Sequence, residues 1–83
     1  MEKRQSDLLN NLVEQIAHTA IVRLSKRQLR HLHDAERLGK NTWRDLAERL
    51  PGELTAKDVY IVEEDDDVYL IRKSKAQDFA NSV

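Results

Sequence analysis

Without a cysteine anywhere in the chain, acid–base catalysis or metal binding would fall largely to three histidines, and their spacing does not support either. His31 and His33 stand two apart, which on a helix turns their rings away from each other and from any shared ion. His18 follows Glu14 by one helical turn, where an ordinary surface pair accounts for it. No serine-centred nucleophile signature, phosphate loop or dinucleotide fingerprint occurs. Two glycines in 83 residues leave little from which to build a backbone cradle for phosphate. The expectation is a protein that is not an enzyme and holds no cofactor or metal.

Charge is the other chemistry on offer. The net charge is −1, but it is unevenly spread. Residues 1–50 carry ten Lys/Arg against seven Asp/Glu, and residues 51–83 carry four against eight. Arg23, Lys26, Arg27 and Arg30 fall on one helical face if a helix runs through Ser25, with Arg37 extending the stripe and Asp34 interrupting it. Such a stripe suits nucleic-acid phosphates or an acidic protein surface, and equally a solvated helix face. Glu63, Glu64, Asp65, Asp66 and Asp67 form an acidic run. It lacks the glycine and the closing glutamate of a calcium loop, so it reads as a docking tip for a basic surface or as a guard against edge-strand aggregation.

The elements that must position these residues are read from hydrophobic period. Leu8, Leu9, Leu12, Val13, Ile16, Ala17, Ala20, Ile21 and Leu24 recur at helical spacing and predict a helix over about 7–24. Ser25-Lys26-Arg27-Gln28 has capping-box form and opens a second helix over about 26–38, with Leu29, Leu32, Ala35 and Leu38 inward and Gly39 as terminator. Thr42 caps a third over about 43–50, where Trp43, Leu46, Ala47 and Leu50 make a one-sided pattern that Pro51-Gly52 stops. Thr55-x-x-Asp58 is a further capping box, leaving residues 55–62 open between a helical turn and a strand. Val59–Val62 and Val68–Ile71 read as the strands of a hairpin over about 59–72, in which Tyr60 and Tyr69 can pair. Residues 74–83 form a weak helical tail with Phe79 as its anchor. The fold expected is a small single α+β domain spanning 1–83: three N-terminal helices, then a two-stranded antiparallel β-hairpin and a short tail.

The order of these elements resembles that of a winged-helix protein, with the hairpin as the wing. Under that resemblance Thr42–Leu50 is the supporting helix and residues 55–62 the recognition helix. The latter offers a DNA groove mainly Lys57 and Tyr60, and the wing carries five acids that phosphates repel. The reading therefore favours a non-enzymatic regulatory or adaptor protein acting by protein–protein contact, such as a modulator or co-repressor of a larger transcription regulator. Arg23, Lys26, Arg27, Arg30 and Arg37 would contact nucleic acid or an acidic partner. Tyr60, Tyr69 and the five acids 63–67 would contact the protein partner. The alternative is a small winged-helix-like DNA-binding regulator acting as a dimer. No apolar run reaches the roughly 18 residues of a membrane span and no signal peptide opens the chain, so a cytoplasmic protein, monomer or homodimer, is expected without a membrane partner.

Overall fold

The computed structural model describes residues 2–34 and 36–82. The first helix, α1, runs Lys3–Glu14 and buries Leu9 and Val13; a 3-10 turn over Gln15–Ala17 adds Ile16 to the same face. Helical spacing is then abandoned. The Thr19 hydroxyl lies 3.0 Å from the carbonyls of both Gln15 and Ile21, closing the helix end and starting the next element. That element is a strand, β1, over Ile21–Ser25, not the last turns of a long helix. Val22 and Leu24 point into the core, while Ile21 and Arg23 point to solvent. The predicted helix 7–24 is thus corrected to a helix plus a strand. Ile21 and Leu24 fit a helical period, whereas Val22 and Leu24 fit a strand; Ile21 and Val22 are β-branched, and a partner strand is available.

Ser25 caps the second helix as its sequence suggests, with its hydroxyl accepting from the Gln28 amide at 3.3 Å. This helix, α2, spans only Lys26–Leu32 and buries Leu29 and Leu32. It stops well short of residue 38 because Asp34 takes φ +47, the left-handed conformation that ends a helix and that aspartate tolerates better than most residues. Gly39 terminates nothing; it leads into the third helix, α3, at Lys40–Glu48, three residues earlier than predicted. Ala35, expected on the inner face of the second helix, lies outside the described residues. Pro51 and Gly52 do stop α3, with Gly52 at φ +62 in the turn that follows.

The Thr55 box closes as expected. The Thr55 amide donates to Asp58 Oδ2 at 2.8 Å, framing a 3-10 turn over Ala56–Asp58. Strand β2, Val59–Glu63, and strand β3, Asp67–Arg72, form the predicted hairpin. The sheet has three strands, not two, in the order β1-β3-β2, all antiparallel. Its inner face supplies Val22, Leu24, Val68 and Leu70 to a core completed by Leu9, Val13, Ile16, Leu29, Leu32 and Leu46. A two-stranded hairpin is marginal alone, and β1 makes β3 a central strand. The chain ends in a 3-10 turn, Lys73–Lys75, and a short helix, α4, at Phe79–Ser82. Phe79 is 81% exposed and anchors nothing.

Candidate functional site

The face of α3 turned away from the core is polar and exposed. Thr42 and Leu46 are buried and Trp43 packs partly against the core, which leaves Lys40, Asn41, Arg44 and Glu48 on the opposite side, all exposed. No acidic residue occupies the first turn of α3. The free amides and dipole of that helix end therefore add to Lys40 and Arg44 in favouring anions. A shallow hollow beside it is lined by His33, Arg37, Gly39, Lys40, Asn41 and Thr42. A second, at the start of α2, is lined by Ser25, Arg27, Gln28 and His31. Neither hollow has a carboxylate in its lining, although Asp34 and Glu36 are exposed on the α2–α3 connection.

A charged network holds α3 in place. Asp45 Oδ2 lies 2.8 Å from His33 Nε2 and 2.9 Å from Arg49 Nε. His33 Nδ1 faces the Leu29 carbonyl at 2.9 Å, so each ring nitrogen meets an oxygen atom. Arg49 Nη1 reaches α1, at 3.0 Å from the Ser6 carbonyl, 2.9 Å from Ser6 Oγ and 2.7 Å from Asn10 Oδ1. α1, the end of α2 and α3 are thus tied through one arginine and one carboxylate. Burial pushes the Asp45 carboxyl up, but the hydrogen bonds and charges of Arg49 and His33 outweigh it and hold Asp45 below its ordinary value of 3.8.

A carboxyl depressed in the folded state leaves the unfolded chain binding more protons, so its stabilising share is complete above the ordinary value and is lost as pH falls through the folded one. Asp58, held low by its Thr55 hydrogen bonds, acts in the same sense. Urea midpoints followed downward from about pH 5 are expected to fall less steeply for Asp45→Asn than for the unchanged protein. Equal slopes would show that Asp45 carries no such linkage.

The basic residues singled out from sequence are not on one helix face. Arg23 lies on the outer face of β1 opposite Tyr69, because the helix through Ser25 does not exist. Lys26 sits at the start of α2, mostly buried, with Nζ 3.5 Å from Glu63. Arg27 and Arg30 remain on α2, Arg27 exposed and Arg30 half-buried, and Arg37 is exposed on the connection. The acids 63–67 do cluster, at the end of β2, across the turn and at the start of β3. Tyr60 and Tyr69 share the outer sheet face but are not paired: Tyr60 stands opposite Ile71, and Tyr69 opposite Val62. Lys73 lies 4.9 Å from the centre of the Tyr60 ring.

Sequence reading missed Lys40, Asn41 and Arg44. The signal was present in part, since a stripe of Trp43, Leu46, Ala47 and Leu50 leaves Arg44 and Glu48 on the reverse face. Lys40 and Asn41 were hidden by the placement of the helix start at residue 43. Among the described residues, no three His, Cys, Asp or Glu side chains gather where a metal ion could sit, and no helix is long and apolar enough to cross a membrane. No protein-family model, no curated protein and no solved structure matches this chain.

Proposed function

We propose that this protein is a small regulator that binds duplex DNA through α3, in the manner of a winged helix. The single observation that carries the reading is the outward face of α3, where Lys40, Asn41 and Arg44 stand around a helix N-terminus free of acids. The order α1, β1, α2, α3, hairpin, with β1 paired to β3, supports it. In helix-turn-helix proteins the second helix enters the major groove and its N-terminal residues meet the base edges. Here that helix is α3, and the segment 55–62, which was too poor in suitable side chains, has no such role. Arginine suits guanine and asparagine suits adenine in that groove, while Arg27 and Arg37 are placed for phosphates.

The measurement is fluorescence anisotropy with a mixed-sequence duplex at low salt. Arg44→Glu is expected to weaken binding about tenfold or more, and Lys40→Gln to lower the salt slope by about one. Arg44 is exposed, so the fold should survive the change. Absence of binding by the unchanged protein, or indifference to Arg44→Glu, sinks the proposal.

The acidic run 63–67 favours a second reading, in which the hairpin tip docks on a basic surface of a larger regulatory protein and the DNA contact is indirect. Asp66→Lys separates the two. On the DNA reading it leaves duplex binding intact or tightens it; on the adaptor reading it abolishes capture of the protein partner.

A further inference from the structure

We infer that the hollow at the start of α3 seats one phosphate group; that the group belongs to the duplex backbone rests on the DNA reading of α3. The seat is built on the helix end itself. The first backbone hydrogen bond of α3 runs from the Trp43 amide to the Gly39 carbonyl at 3.1 Å. The amides of Lys40, Asn41 and Thr42 lie ahead of it and need acceptors from outside the helix. No side chain caps them, because Gly39 holds the capping position. A serine or aspartate there would accept from these amides. Packing does not demand the glycine: its backbone is extended, at φ −148, and an added Cβ would meet nothing within 4 Å.

Thr42 is an independent sign of a ligand. The residue is only 3% exposed. Its hydroxyl has no hydrogen-bond partner among the described residues, yet it is not wholly enclosed. It therefore meets solvent through the hollow that Thr42 lines, at the helix end toward which helical side chains lean. Valine has nearly the same shape and would fill a buried site without stranding a hydroxyl, so the threonine calls for a ligand that accepts from it.

The rest of the lining agrees in sign. Arg37 and Lys40 bring positive charge to the same hollow, and Asn41 adds a carboxamide. His33 forms a wall, since each of its ring nitrogens already faces an oxygen. Asp45 is turned onto His33 and Arg49, while Asp34 and Glu36 are exposed on the connection and do not line the hollow. Amides, a hydroxyl and two cations converging without a carboxylate suit a tetrahedral oxyanion, which accepts in several directions at once. Phosphates held at helix N-termini fix a protein's register on the duplex and carry no base information. Arg44, one turn further along the exposed face of α3, is left for the bases.

The test is an NMR titration of the full chain with inorganic phosphate, against sodium chloride at equal ionic strength. Saturable shifts are expected at the Lys40, Asn41 and Thr42 amides with phosphate and not with chloride. Thr42→Val should raise the phosphate Kd about tenfold. Gly39→Asp gives the same amides a carboxylate of the chain's own and should abolish the binding. Both variants should hold Tm or raise it, because neither removes an internal partner; a hydroxyl or a glycine kept for the fold alone would lower Tm when replaced. Phosphate shifts that are absent, that lie elsewhere, or that survive both variants overturn the seat and leave the Arg44 test of DNA binding untouched. Anisotropy then identifies the source: a duplex that binds should lose about tenfold in affinity with Gly39→Asp. If phosphate takes the seat and no duplex binds, the DNA reading falls and the seat serves a free phosphate-bearing ligand. If a duplex binds and is indifferent to Gly39→Asp, the assignment to the backbone is overturned.

Discussion

Arg49→Met is expected to cost about 3–5 kcal/mol and to lower Tm by roughly 12 °C or more. Methionine keeps most of the buried stem but removes every donor. Asp45 is then left with His33 alone, and Ser6 and Asn10 on α1 lose the guanidinium that joins them to α3. The Arg49 side chain is only 13% exposed, so water replaces these bonds poorly, and the loss of its charged hydrogen bonds to Ser6, Asn10 and Asp45 dominates the cost. A small domain has on the order of 5–10 kcal/mol to lose, so the change consumes much of its stability. Asp45→Leu added to Arg49→Met should destabilise less than the two single effects summed, because each single change already removes the Asp45–Arg49 bond. Thermal melts followed by circular dichroism measure both. A Tm for Arg49→Met within about 3 °C of the unchanged protein would mean that the network is peripheral to stability.

That network illustrates which parts of the molecule a sequence discloses. The Ser25 cap, the Thr55–Asp58 box, the Pro51-Gly52 stop and the hairpin were legible because each depends on residues within a few positions of one another. The contact from His33 to Asp45 spans 12 positions, and that from Arg49 to Ser6 spans 43, so no local pattern announces them. The basic face of α3 was obscured by a different ambiguity. Gly39 reads equally well as the end of one helix and the approach to the next, and only the left-handed Asp34 decides between them. Moving the α3 start from residue 43 to residue 40 is what adds Lys40 and Asn41 to Arg44. The functional reading changes with it: one of the two objections to DNA binding rested on a recognition segment at 55–62, and the acidic tip alone remains against it.

Helical and strand periods compete over residues 19–25, and substitution there distinguishes them sharply. Leu24→Ala is expected to cost about 2–5 kcal/mol, since Leu24 is 2% exposed in the middle of the core. A helix continuing to residue 24 predicts the same cost, so that variant measures the core without identifying the element. Its two neighbours do identify it. On a helical stripe with Leu24, Ile21 faces inward and Val22 does not; on β1, Val22 is 3% exposed and Ile21 53%. Threonine suits a strand at either position, so propensity is held nearly constant and burial decides. Val22→Thr places a hydroxyl among Leu24, Val68 and Leu70 and should cost about 1–3 kcal/mol. Ile21→Thr, on the outer face opposite Ile71, should stay within about 0.5 kcal/mol. Urea unfolding gives both values. If Ile21→Thr proves the costlier, β1 is not the element that closes the sheet, the basic stripe from Arg23 to Arg30 returns to a single helical face, and the DNA surface must be sought there instead of on α3.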